Sequence, residues 1–99
     1  MFVRGEVPAP AGGGWLIARP NPVPRGPAHG TTKIAWGDWD YDTLEVFVSM
    51  DAAHEELFAS GGGASEAEAS WIQAGHTYVF RLYGPGRKLL ASVHVTREQ

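Results

Sequence analysis

Apolar and polar residues alternate along several short stretches of this 99-residue chain. Successive strand side chains point to opposite faces, so such alternation predicts half-buried β-strands. The clearest case is Thr31-Thr32-Lys33-Ile34-Ala35-Trp36, which places Thr32, Ile34 and Trp36 on one face. In the stretch from Leu44 to Met50, Leu44, Val46, Val48 and Met50 share a face, and Glu45, Phe47 and Ser49 take the other. Two further β-rich runs, Thr77 to Tyr83 and Leu89 to Thr96, flank Gly84-Pro85-Gly86-Arg87-Lys88 and predict a hairpin. Parity turns Val46, Val48, Tyr78, Phe80 and Leu82 inward. It turns Phe47, Val79, Arg81 and Tyr83 outward, with Leu90 or His94 beside them.

The weaker segments complete the pattern. Trp15 to Arg19 is a strand candidate followed by Pro20-Asn21-Pro22-Val23-Pro24, and proline cannot donate to a ladder, so this strand belongs at a sheet edge. Glu55 to Ala59 reads as a short edge strand and Gly61-Gly62-Gly63 as a loop tip. Ser65 to Ala69 lacks the apolar stripe of an amphipathic helix and reads as a weak strand. About seven short strands separated by turn signals, with no convincing helix, predict an all-β sandwich or small barrel.

Composition narrows this picture. Thirteen glycines and seven prolines suit a chain of many turns. Residues 1–14, with Val7-Pro8-Ala9-Pro10 and Gly12-Gly13-Gly14, read as a flexible Pro/Gly-rich arm ahead of a folded region spanning 15–97. The absence of cysteine removes disulfides, thiol chemistry and Cys-based zinc sites. No apolar run is long enough for a membrane helix, and Met1 to Glu6 lacks the apolar core of a signal peptide. The net charge of −3 argues against non-specific nucleic-acid binding, which depends on lysine and arginine at phosphates. Nine of the eleven acidic residues fall between Asp38 and Glu68, a stretch without a single lysine or arginine.

Two local patterns carry a family resemblance. Thr32-Lys33-Ile34-Ala35-Trp36 looks like the second strand of a fibronectin type III domain, with its core tryptophan. Ile72-Gln73-Ala74-Gly75-His76-Thr77-Tyr78 resembles the corner of such domains, where a leucine, proline, glycine and tyrosine recur at this spacing. Ile72 stands at the leucine position, Ala74 replaces the proline, and Tyr78 occupies the corner. The chain from about Leu16 to Thr96 is also similar to short immunoglobulin-like modules appended to bacterial envelope and polysaccharide-related proteins, which share the Asn21-Pro22-Val23 start and the Phe80-Arg81-Leu82-Tyr83 strand. The resemblance implies an immunoglobulin-like, fibronectin type III-like antiparallel β-sandwich with Ile34, Trp36, Ile72, Tyr78, Phe80 and Leu82 in its core. It further implies a place outside the cell, on its surface or in a virion.

Signatures of catalysis are sparse. His29, His54, His76 and His94 form no paired-ligand motif and suit surface or turn positions. No nucleophile elbow, phosphate loop or dinucleotide fingerprint occurs, so neither an enzyme nor a cofactor is expected. Asp38, Asp40 and Asp42 alternate as in a calcium loop, but the glycine and the distal glutamate of such a loop are missing, leaving a weak cation candidate and no expected metal. Trp39 and Tyr41 interleave with these carboxylates, and aromatic rings beside acids suit sugar stacking, so this loop is a candidate carbohydrate site. Arg87 and Lys88 sit at the hairpin tip as solubilising charges.

The expectation is therefore a non-catalytic interaction or structural module, either a spacer or a small subunit of an assembly such as a virion or cell-surface decoration protein. Its expected interaction face is Phe47, Val79, Arg81 and Tyr83, because Phe, Tyr and Arg are enriched at protein interfaces. The partner is a protein or a second copy. The competing expectation is a carbohydrate-binding module using Trp39 and Tyr41.

Overall fold

A computed structural model describes residues 14–26 and 29–99. The chain forms seven strands: β1 (Trp15–Arg19), β2 (Gly30–Gly37), β3 (Glu45–Met50), β4 (Glu56–Ser60), β5 (Ala64–Ile72), β6 (Tyr78–Gly84) and β7 (Lys88–Val95). A three-residue 3-10 turn, Pro85–Arg87, separates the last two. The strands build two antiparallel sheets, one ordered β1-β2-β5 and the other β4-β3-β6-β7. The arm expected over residues 1–14 lies outside the described residues except for Gly14, which is buried. A Cβ on Gly14 would meet Asp38 Oδ2 at 2.8 Å and Leu90 Cβ at 3.1 Å.

The two sheets bury one core between them. Ile34 and Trp36 from β2, Val46 from β3, Ile72 from β5, and Phe80 and Leu82 from β6 are almost wholly removed from water, and Tyr78 is 3% exposed. All six residues expected in the core are there. Alternation produces this directly: Thr32, Ile34 and Trp36 face the opposite sheet, while Lys33 on the other face reaches Glu66 across the ladder at 3.7 Å. The buried Thr32 hydroxyl donates to the Pro20 carbonyl at 2.9 Å, and the Trp36 indole donates to the Gly61 carbonyl at 3.3 Å. Each buried polar group thus ties a loop to the core.

The corner between β5 and β6 is fixed by one side chain. The Tyr78 hydroxyl accepts from the Gln73 N–H at 3.0 Å and donates to the Trp71 carbonyl at 3.5 Å. Its ring stays in the core while its oxygen anchors backbone upstream, the geometry of a tyrosine corner.

The two long sides of the sandwich close differently. After β1, the proline-rich segment crosses to the other sheet, and Val23 forms an isolated bridge to Arg97, just beyond the end of β7. Val23 N–H donates to the Thr96 carbonyl at 2.8 Å, and the Asn21 amide donates to the His94 carbonyl at 2.7 Å. Arg97 then donates to the carbonyls of Pro24 at 3.1 Å and Gly26 at 2.9 Å. That side is sealed. On the opposite side, β4 and β5 are both terminal strands of their sheets. The Gly61–Gly63 loop that joins them needs its glycine, because a Cβ on Gly62 would lie 2.0 Å from the Asp42 carbonyl oxygen.

Candidate functional site

Of the residues expected as an interaction face, Phe47 and Tyr83 lie side by side on the outer surface, where the chain's own Arg87 packs over them. Phe47 and Tyr83 project from neighbouring strands of the outer surface and meet edge to face at 5.6 Å. Arg87 comes back from the hairpin tip and lays its guanidinium 4.8 Å from the Phe47 ring centroid and 4.3 Å from that of Tyr83. Glu55 binds the group together. It accepts from Arg81 at 2.9 Å, from Arg87 at 2.9 Å and from the Tyr83 hydroxyl at 2.9 Å. Arg87 adopts φ 61°, a left-handed conformation uncommon for a residue with a Cβ, and its three contacts offset that strain. Arg87 is therefore a clasp over the face, in contrast to the solubilising charge expected from its place in the turn.

The electrostatics of this cluster follow from its geometry. Burial pushes the Glu55 carboxyl up, but the hydrogen bonds from Tyr83, Arg87 and Arg81 outweigh it and hold the group below the ordinary glutamate range. Burial raises the Tyr83 phenol, and the hydrogen bond and negative charge of Glu55 raise it further. Val79 lies on the same surface beside His94, its partner across the ladder. A register shift between Leu82 and Tyr83 turns Leu90 towards the core instead.

The loop from Asp38 to Asp42 does not gather its aromatics. Trp39 is 81% exposed, whereas Tyr41 packs against the core cluster near Gly84. The two rings therefore offer no common platform. Asp38 is buried and its Oδ1 accepts from the Asp40 N–H at 2.8 Å, which closes the turn; its Oδ2 is buried without a hydrogen-bond partner. Asp40 and Asp42 point to solvent. Among the described residues no cluster of three His, Cys, Asp or Glu side chains is arranged to hold a metal ion.

A different site opens on the unsealed side. A cleft of ≈ 660 Å³ runs between the edges of β4 and β5, which pair with no further strand among the described residues, with Met50, His54, Leu57, Trp71 and Gln73 on its walls. Met50 is 45% exposed, Leu57 57% and Trp71 37%. Trp71 stacks on Phe80 at 6.2 Å and meets Phe58 edge to face at 6.1 Å, so its ring rests on the core and presents its remaining surface outside. Glu56 and Glu68 stand on the two walls, and no lysine or arginine among the described residues lines the cleft. Neither glutamate forms an ion pair among the described residues, unlike Glu55 and Glu66, although Glu68 lies opposite Lys33 in the ladder.

Period-two reasoning does not place Trp71 here. Gly30 pairs with Ile72 and Thr32 with Ala69, so β5 carries one more residue than β2 over that interval. This bulge lets Ile72 enter the core while Trp71, its neighbour, also leans over the sheet edge onto Phe80. The only signal available beforehand is the tryptophan itself, next to the corner.

Beside the cleft mouth, His76 and Asp51 are hydrogen-bonded at 2.5 Å, linking the β3–β4 turn to the β5–β6 corner. The Thr77 N–H, and then His76, hold the Asp51 carboxyl below its ordinary value. Neither side chain lines the cleft. Comparison with protein-family models, with curated proteins and with solved structures finds no match to this chain.

Proposed function

We propose that this protein is a non-catalytic interaction module of the immunoglobulin-like, fibronectin type III-like kind, and that it binds its partner in the cleft between β4 and β5. The fold assignment is supported by the two-sheet order, by the buried Trp36 near the end of β2 and by the hydroxyl of Tyr78 at the corner. The observation that carries the binding reading is the convergence of Met50, Leu57 and Trp71, three exposed apolar side chains, in one cleft flanked by unpaired edges. The ionisable groups that line the cleft, His54, Glu56 and Glu68, make no hydrogen bond to one another among the described residues, which supports binding over catalysis.

This reading moves the interaction surface away from Phe47 and Tyr83, which Arg87 covers, and from Arg81, which Glu55 engages. Selection of a displayed random-peptide library on the wild type and on Trp71→Ala tests it. Enrichment that vanishes with Trp71→Ala supports the cleft. Enrichment that persists there but is lost in Phe47→Asp would return the interaction to the outer face. The carbohydrate reading rests on Trp39, the most exposed of these aromatics; oligosaccharide binding abolished by Trp39→Ala would favour it instead.

A further inference from the structure

We infer that the occupant of the cleft is an extended segment of a partner protein carrying lysine or arginine, hydrogen-bonded to one of the two free strand edges. The inference rests on the cleft reading above and adds the chemistry of the ligand. A terminal strand presents unpaired backbone N–H and C=O groups, and an extended peptide satisfies them by joining the sheet. Here two such edges bound one cleft, so a strand entering it finds backbone partners as well as the apolar surface of Leu57 and Trp71.

Charge selects the sequence of that strand. Glu56 and Glu68 face the space from opposite walls with no cation among the lining residues. They belong to the stretch from Asp38 to Glu68 that holds nine acidic residues and no lysine or arginine. Glu55 and Glu66 in the same stretch have cationic partners, Arg81 with Arg87 and Lys33. Of the two glutamates that line the cleft, Glu56 forms no ion pair among the described residues, and Glu68 lies opposite Lys33 in the ladder, whose ammonium is engaged by Glu66. A guanidinium or ammonium group between them also reaches an aromatic face at Trp71, which attracts cations through its quadrupole.

The same charges disfavour the other occupants. A second copy pairing through these edges would bring its own Glu56 and Glu68 against like charge. A neutral sugar would use Trp71 and the carboxylates but leave the backbone edges unpaired.

Two displayed libraries test the inference. Both alternate randomised β-branched residues with charged ones, lysine or arginine in the first and glutamate or aspartate in the second. They are selected in parallel on the wild type, on Trp71→Ala and on the double variant Glu56→Gln/Glu68→Gln, which keeps the volume of both side chains. The expected result is enrichment of the basic library alone. Binding of the selected peptides should weaken about tenfold in the double variant and weaken further with added salt. Peptides that depend on Trp71 but are acidic, or indifferent to the double variant, would overturn the inference and leave the cleft reading intact. No Trp71-dependent enrichment from either library would overturn both. Sedimentation showing a dimer that Leu57→Lys dissociates would assign the cleft to a second copy and overturn the basic-strand assignment.

Discussion

The outer face around Phe47 and the cleft around Trp71 are built from similar residues and end in opposite states. Each has two or more aromatic rings, an exposed or half-exposed apolar surface and glutamates close by. Around Phe47 the charges of Glu55, Arg81 and Arg87 are partnered with one another, because both arginines reach Glu55, from β6 and from the hairpin tip. In the cleft no corresponding cation lines the walls among the described residues. The contrast teaches that aromatic and charged residues on a strand do not by themselves mark an interface; what matters is whether the chain supplies their partners.

Replacing Glu55 should break this comparison most severely. Glu55→Ala leaves Arg81, Arg87 and Tyr83 without their common acceptor, and a loss of about 2 kcal/mol is expected in urea denaturation, less than for a fully buried pair because the cluster is partly exposed. Trp71→Ala removes a ring that packs on Phe80 and Phe58 and should also cost about 2 kcal/mol by the same measurement. Leu57→Ser, by contrast, should change stability by less than about 0.5 kcal/mol, because Leu57 is mostly in water. If Leu57→Ser proved as costly as Glu55→Ala, the cleft would be a packed interior and not an open surface.

The acidic and alkaline limits sharpen the same contrast. Glu55 has a lowered folded-state pKa, so its contribution is complete above the unfolded glutamate value and is lost as pH falls through the folded one. Tyr83 has a raised folded-state pKa, so its contribution is present below the unfolded tyrosine value and is lost as pH rises through and beyond it. Thermal melts of the wild type should therefore lose stability at both ends, and Tyr83→Phe should remove the alkaline part of that loss. An alkaline loss unchanged in Tyr83→Phe would contradict the assignment.

A change of opposite sign lies beside the cleft. Asp51 and Ala52 hold φ 54° and 67° in the β3–β4 turn, closed by Ala53 N–H to the Met50 carbonyl at 3.0 Å. A turn with two positive φ values favours glycine, so Ala52→Gly should stabilise the protein by about 1 kcal/mol in thermal unfolding. A destabilising Ala52→Gly would show that the left-handed backbone there is not strained.

Much of the fold was legible because alternation survives along β2 and β6. Ile34 and Trp36, then Tyr78, Phe80 and Leu82, all face inward with parity intact. The outward positions of Phe47, Arg81 and Tyr83 follow from the same rule. The arginine that covers them does not, since Arg87 reaches back through a left-handed conformation that a turn sequence leaves unspecified. The cleft was hidden for two reasons. A bulge in β5 displaces Trp71 from the face that parity assigns, and the gap between β4 and β5 exists only once strand order is known. Trp39 and Tyr41, adjacent in pattern, separate because Tyr41 finds a place against the core and Trp39 does not.

Chemical-shift mapping of the ¹⁵N-labelled protein with a peptide selected on it addresses the central claim most directly. The Trp71 indole N–H and the backbone amides of Glu56, Leu57, Glu68 and Gln73 should shift, while the amides of Phe47, Arg81 and Tyr83 stay in place. Shifts centred on Phe47 and Tyr83, with Trp71 unmoved, would contradict the account.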